Sequence, residues 1–317
     1  MLISIAIPCY RSAKTLPAVV NRIRETVMAR EGCDYQIVLV NDNSPDNTFQ
    51  VINDLCREDR NIIGVDLSRN FGQASAQMAA VEFIKGDVAV FMDDDGQHPP
   101  EELFKLVDKV SQGYDLVYAR FAHKKHSLFK RITSKLNTKM LEAMNRKPKG
   151  VDLSSFFALS RFSVDTLKNY KSPFPSIGGY LLQTTKRIMN VEVEHHERLE
   201  GKSNYTLKKL LLLWLQGFTN FSIVPLRFAS VLGMISAALG FLIGVILIIR
   251  KLIEPAIAVG YTSMMAVMLF VGGLIMLMLG LLGEYVGRIF ILLSNTPQFL
   301  VRNVVNIKSE GETDKDE

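Results

Sequence analysis

Three consecutive aspartates, Asp93, Asp94 and Asp95, follow the apolar run 88–92 and precede Gly96-Gln97-His98-Pro99-Pro100. A β-rich run that ends in carboxylates delivers them at the end of a strand, and side-chain alternation puts Asp93 and Asp95 on one face. Two carboxylates on one face, with amide and phosphate oxygens nearby, suit a hard divalent cation, Mg2+ or Mn2+. The competing reading is an acidic turn that caps the following helix. The buried strand before the triplet and the Gln97-His98-Pro99 after it favour the cation.

The surrounding pattern explains how such a loop is positioned. Short β-rich runs at 2–7, 36–40, 62–66, 88–92 and 116–119 alternate with helical stretches at 16–29, 48–57 and 74–84, and Pro99-Pro100-Glu101-Glu102 opens a further helix. Alternation of this kind over about 120 residues predicts an α/β domain with a mainly parallel sheet. Ligands bind beyond the carboxyl ends of such strands, where the polar clusters fall. Beyond residue 118 the pattern loosens. A basic amphipathic helix is expected over 127–145, a short polar–apolar segment over 152–160 and a strand over 191–195.

The C-terminal third is different. Residues 228–249 and 255–283 form stretches of 22 and 29 residues without a charge, each long enough to cross a hydrocarbon core of about 30 Å. This excludes a purely soluble protein. The expected organisation is an α/β domain over 1–200, juxtamembrane interfacial helices over 201–227, transmembrane helices over 228–250 and 258–283, and a C-terminal segment with an acidic tail over 284–317. Lys202, Lys208, Lys209, Arg227, Arg288 and Arg302 lie on one side of the two crossings, against Arg250 and Lys251 in the opposite loop. That distribution places the large domain in the cytoplasm, on a multi-pass protein of the inner (plasma) membrane. The start of the chain does not read as a signal peptide.

The net charge is +5, and the tail 309–317 holds five acidic residues against one lysine, so the body before it is more basic still. A basic body beside membrane segments suggests anionic lipid headgroups or phosphates as partners. Nucleic acid is not expected, because no basic stripe with interleaved aromatics appears. Cys9, Cys33 and Cys56 are odd in number and lack metal-type spacing. Neither span carries an ionisable residue at its centre, against a transporter or channel. No G-x-G-x-x-G follows the first strand, against a nicotinamide dehydrogenase.

The motifs, taken in order, resemble a known family. Ile5-Ala6-Ile7-Pro8-Cys9-Tyr10 resembles the first strand and loop of glycosyltransferase family 2, and Val40-Asn41-Asp42-Asn43-Ser44-Pro45-Asp46-Asn47-Thr48 its second nucleotide loop. Leu67-Ser68-Arg69-Asn70-Phe71-Gly72-Gln73 and the aspartate loop resemble the branch that glycosylates polyprenyl phosphates. Arg198-x-x-Gly201-x-Ser203-x-Tyr205, Pro225-Leu226-Arg227 and Leu282-Gly283-Glu284-Tyr285-Val286-Gly287-Arg288 are similar to bacterial members with two transmembrane helices. The resemblance extends to about Val301. Two features depart from the usual pattern: Asn41-Asp42-Asn43-Ser44 stands for Asp-Asp-Gly-Ser or Asp-Asp-Asn-Ser, and Gly96 stands where a larger apolar residue is usual.

The resemblance implies a GT-A fold and an inverting, metal-dependent transfer from a nucleotide sugar, UDP-linked in the reading preferred here, to undecaprenyl or another polyprenyl phosphate. It implies that Asp42 holds the base, with Pro8 and Tyr10 beside the nucleoside. Asp93, Asp95 and Gln97 would bind the Mg2+ or Mn2+, and Asp94 would lie at the ribose or sugar. Arg120, Arg131 and Ser134 would bind the acceptor phosphate, and Asp152 would face the acceptor as base or orienting group. Arg198 and Ser203 would sit near the diphosphate. The catalytic set expected is thus Asp152, Asp95 and Arg198. Expected partners are the nucleotide sugar, the polyprenyl phosphate, membrane lipid and further copies of the chain, a tetramer among the options. Two other functions remain open on the sequence: a non-catalytic nucleotide-binding sensor or scaffold, and a processive polysaccharide synthase. The second is disfavoured by only two spans and by the lack of a Gln-x-x-Arg-Trp motif around Trp214.

Overall fold

A computed structural model of the chain describes residues 1–121, 150–194, 224–254 and 260–306. Two compact units result, one of residues 1–203 with 297–317 and the other of residues 204–296.

The first unit is built on β1 (Leu2–Cys9), β2 (Asp34–Asn41), β3 (Ile62–Leu67), β4 (Val88–Phe91), β5 (Leu116–Phe121), β6 (Phe157–Ser160), β7 (Ile188–Val193) and β8 (Val301–Val305). They form one sheet in the order β7-β5-β6-β4-β1-β2-β3-β8. β4, β1, β2 and β3 run parallel, and β7 is parallel to β5. β6 is antiparallel to both β4 and β5, and β8 is antiparallel to β3. The sheet is therefore mixed but mostly parallel, as the alternating pattern predicts. The stretch 152–160 supplies β6 at its end, a strand inserted between β4 and β5. The segment beyond the second apolar stretch supplies β8, at the far edge of the same sheet.

Helices cover both faces. α1 (Leu16–Met28), α2 (Thr48–Glu58) and α4 (Leu103–Ser111) pack with Ile3, Ile5 and Ile7 of β1. α3 (Gln73–Phe83), α5 (Arg161–Lys168) and α6 (Ile177–Thr184) lie with Ala6, Val38 and Val40. A strand buried on both faces cannot alternate polar with apolar, which is why β1 and β2 read as near-continuous hydrophobic runs. In α1 the buried positions Leu16, Val19, Val20, Ile23 and Val27 recur at helical spacing. Each fully buried aliphatic side chain contributes about 1.5–3 kcal/mol. α4 is entered through a single 3-10 turn at Pro100–Glu102 rather than directly from the prolines.

The second unit contains α7 (Val224–Ile253) and α8 (Tyr261–Leu293). Both helices are long and apolar enough to cross a membrane, through Ala229–Ile246 and Phe270–Leu293. Their large apolar side chains, Phe241, Leu252, Phe270 and Met276 among them, are exposed. The expected basic helix over 127–145 and interfacial helix over 206–222 lie outside the described residues.

Candidate active site

The chain runs from β1 outward to β2 and β3, then returns across β1 to form β4 on its other side. The loops after β1 and β4 lie side by side at the carboxyl ends of these neighbouring strands, where ligands of open α/β sheets bind, and both lead to helices on the same face of the sheet, α1 and α4. Asp94 ties the two loops together. Its Oδ2 accepts hydrogen bonds from the Ser12 hydroxyl and from the Tyr10 N–H at 3.1 Å. Burial raises Asp94 to about 6; the Ser12 and Tyr10 donors oppose this, and the charges of Asp93 and Asp95 add to it.

β4 stops at Phe91, so the three aspartates ride on a loop. The expectation that strand alternation puts Asp93 and Asp95 on one face therefore does not apply; loop contacts aim each carboxylate separately. Asp93 turns toward α3 and the segment before β6. Its Oδ1 accepts from Gln73 Nε2 at 2.7 Å and its Oδ2 from Ser155 Oγ at 2.8 Å. Asp95 Oδ1 accepts the Gln97 N–H at 3.1 Å across Gly96. Gly96 has φ +75°, a left-handed conformation that costs most side chains about 1–2 kcal/mol. A larger residue is therefore disfavoured at this turn.

His98 is buried, and its Nδ1 accepts the Asp93 N–H at 2.9 Å. Its ring stacks on Phe156 and Phe121, with centroids 5.1 and 5.9 Å away.

Asp42 is also buried, and burial raises its pKa despite two opposing backbone donors. Its two oxygens accept the N–H groups of Phe71 and Gly72 at 2.7 and 2.8 Å. The carboxylate thus braces the entry to α3, where Gly72 has φ +91°. Asn41 next to it donates to Asp66 Oδ1 at 2.7 Å and ties the ends of β2 and β3. Pro8 is buried near the end of β1, which Cys9 closes, and Tyr10 beyond it is exposed under the Arg11 guanidinium.

A second polar group gathers at the end of β5. Arg120 Nε is 2.9 Å from Asp152 Oδ2, close enough for an ion pair but not aligned for a hydrogen bond. Arg120 Nη2 donates to the Gly150 carbonyl and to Asn190 Oδ1, the latter at 3.4 Å. Asn190 Oδ1 accepts the Asp152 N–H at 2.7 Å, and its Nδ2 donates to the Asp152 carbonyl at 2.8 Å. The structure thus brings Arg120 and Asp152 together. Asn190 carries no sequence signal because its contacts come from the pairing of β7 with β5, and Ser12 because it meets Asp94 from another loop. Gln73 ends the motif Leu67–Gln73 and Ser155 lies in the polar–apolar segment 152–160, although neither pattern assigns a contact. Arg131, Ser134, Arg198 and Ser203 lie outside the described residues.

Among the described residues, no three His, Cys, Asp or Glu side chains form a metal-holding group. Asp93 and Asp95 nevertheless fit a hard cation that takes its other ligands from water and phosphate. Both offer oxygen alone, the ligand type such a cation prefers.

The sequence matches glycosyl transferase family 2 over residues 4–167 and the GtrB C-terminal hairpin over residues 224–289. It is 32% identical over 322 residues to the undecaprenyl-phosphate 4-deoxy-4-formamido-L-arabinose transferase of Proteus mirabilis, covering 99% of this chain and 97% of that one. It is 31% identical over 308 residues to the uncharacterized glycosyltransferase YkcC of Bacillus subtilis, covering 97% and 95%. The fold is similar to glucosyl-3-phosphoglycerate synthase from Mycobacterium tuberculosis, solved with Mn2+, UDP-glucose and phosphoglyceric acid. That match has a TM-score of 0.50 at 20% identity and covers 69% of this chain and 78% of that one.

Proposed function

The chain belongs to glycosyl transferase family 2, in its polyprenyl-phosphate branch, and from that premise we propose that it transfers a sugar from a UDP-sugar to undecaprenyl or a related polyprenyl phosphate, inverting the anomeric centre. The observation that carries the reading is Asp94 tying the loop after β4 to the loop after β1 at the carboxyl ends of these strands, with Asp93 and Asp95 on either side of it in one loop. Phosphate-rich donors in open α/β sheets occupy this position. The relatives named as undecaprenyl-phosphate sugar transferases support the acceptor, and the two long apolar helices suit a lipid substrate.

In this reading a phosphate oxygen of the acceptor attacks the anomeric carbon. The bond from that carbon to the diphosphate oxygen breaks, and the nucleoside diphosphate departs with both electrons. Asp93, Asp95 and Gln97 would hold a Mg2+ or Mn2+, whose chemistry is to stabilise negative charge on the leaving diphosphate. Pro8 and Tyr10 flank the nucleoside. Asp42 holds the base side of the site, chiefly through the Phe71 and Gly72 amides it fixes. Asp94 orients the ribose or sugar.

Arg120 offers its positive charge to the acceptor phosphate, and Asp152 holds the guanidinium in place. An anionic phosphate has no proton to give up for attack, so Asp152 acts as an orienting group. Arg131 and Ser134 complete the acceptor site, and Arg198 and Ser203 serve the diphosphate. The protein is multi-pass in the inner (plasma) membrane, touches membrane lipid, works on the cytoplasmic face and assembles as a homo-oligomer.

The experiment is a donor screen on the purified full chain with undecaprenyl phosphate and Mn2+ or Mg2+. UDP-glucose, UDP-N-acetylglucosamine, UDP-galactose, a UDP-aminoarabinose derivative and GDP-mannose are offered, and the lipid product is followed by mass. One donor should give product that EDTA abolishes and that Asp95→Ala lacks. No lipid-linked sugar from any donor, with nucleotide still bound, would instead point to an unusual sugar or to a sensor.

A further inference from the structure

The Asp93 carboxylate lies in a ring of hydrogen-bonding groups that starts and ends on the same residue. The Asp93 N–H donates to His98 Nδ1 at 2.9 Å. An imidazole that accepts at Nδ1 carries its proton at Nε2. Nε2 lies 3.4 Å from Ser155 Oγ and 3.6 Å from Asp93 Oδ2. The Ser155 hydroxyl then donates to Asp93 Oδ2 at 2.8 Å. Every group in the ring has one direction open to it: backbone donor, imidazole acceptor, imidazole donor, hydroxyl, carboxylate.

The ring is built rigidly. His98 is 4% exposed and lies parallel to Phe156 and Phe121, at interplanar angles of 12° and 14°. Phe156 is fully buried and adjoins Ser155, so the packing that fixes the imidazole also fixes the hydroxyl. On the other side Gln73 Nε2 holds Asp93 Oδ1 at 2.7 Å. Rotation of the carboxylate breaks at least one of these contacts.

We propose that His98 and Ser155 are positioning residues that orient the Asp93 carboxylate toward the donor's divalent cation. Groups that hold a metal-ligating carboxylate by hydrogen bonds set its direction, and losing one typically costs 10- to 100-fold in metal affinity. Ser155 also follows Asp152 by three residues, so the ring fastens the loop that faces the acceptor to the loop that faces the donor. The inference rests on the reading of Asp93 as a cation ligand.

The test is a Mn2+ titration of the full chain in detergent with UDP present, read by the electron paramagnetic resonance signal of free Mn2+. Asp93→Asn serves as the reference for a lost ligand. Ser155→Ala should weaken Mn2+ binding about tenfold, and Ser155→Thr, which keeps the hydroxyl, should remain within about threefold of the original protein. His98→Phe keeps the ring stack, removes both nitrogens and should weaken Mn2+ as Ser155→Ala does. If His98→Phe fails to fold, the Ser155 pair carries the test alone. Normal Mn2+ affinity in Ser155→Ala, with only thermal stability lowered, overturns the positioning role and leaves the cation reading standing. Failure of the original protein itself to bind Mn2+ with UDP overturns both.

Discussion

Replacing Asp42 by Asn separates two roles for that carboxylate, direct contact with the base and bracing of the loop before α3. Both Asp42 oxygens accept backbone N–H groups, from Phe71 at 2.7 Å and Gly72 at 2.8 Å, and the side chain is 4% exposed. A hydrogen bond to a charged group contributes about 1.5–3 kcal/mol. Asn keeps one carbonyl oxygen for one of these amides and turns an NH2 group toward the other. The net loss is thus about one charge-assisted bond plus the cost of a buried donor without an acceptor, roughly 2–3 kcal/mol. For a domain of this size each kcal/mol moves the melting temperature by about 2–4 °C, which gives a fall of about 5–10 °C. The assay is the apparent Tm of the full chain in detergent at a fixed scan rate, measured beside UDP affinity. Bracing predicts that both fall together, because the loop 68–72 loses its anchor. An unchanged Tm with UDP binding lost would refute the bracing argument and make Asp42 a direct base contact.

Asp152→Asn removes the charge 2.9 Å from Arg120 Nε but leaves the backbone contacts with Asn190 in place. Since the pair is partly exposed, the expected effect is about a two- to fivefold rise in acceptor KM with kcat and its pH profile retained; loss of the alkaline-rising limb of kcat would identify Asp152 as a base. Burial pushes Cys56 up to about 11 and also raises Cys9, helped there by the Asp94 charge. Iodoacetamide at pH 8 should therefore label the half-buried Cys33 and spare the other two until the protein unfolds, as peptide mass mapping would reveal. Because the folded value of Cys56 exceeds its unfolded value of about 8.5, its contribution to stability is intact below that pH and is lost as pH climbs toward 11, visible as an alkaline fall in Tm that Cys56→Ala lessens. Asn306 donates from Nδ2 to the carbonyls of Cys56, Asp59 and Ile62, so Asn306→Ala should cost about 1–2 kcal/mol in thermal unfolding although it lies more than 200 residues away in sequence.

Much of the first half of the α/β unit was legible because its signals are local. The runs at 2–7, 36–40 and 62–66 are β-rich and end in polar loops, and these became β1, β2 and β3 with small boundary shifts. The helical spacing in 16–29 and 48–57 gave α1 and α2 for the same reason. Local reasoning failed where the partner is remote. Nothing within 157–160 says that it enters as an antiparallel strand between β4 and β5; that follows from the gap those two strands leave. Val301–Val305 pairs with β3 across more than 230 residues. The Ser68 N–H donates to the Leu300 carbonyl at 2.9 Å, and the Ser68 carbonyl accepts from Arg302, so this late segment steadies the loop that leads to Gly72.

The sequence by itself determined the residue types of the chemistry: a run of three carboxylates in a loop, phosphate-compatible arginines, and two apolar stretches long enough for a bilayer. Composition and spacing record these directly, since oxygen ligands, charge and helix length are properties of the chain. Tertiary structure alone decided where each carboxylate points. Asp93, Asp94 and Asp95 are adjacent and chemically identical, yet one is held by Ser155 and Gln73, one by Ser12 and Tyr10, and one by its own turn. The direction of a loop side chain is set by the donors that surround it, and those donors arrive from strands and helices whose order in the sheet differs from their order in the chain.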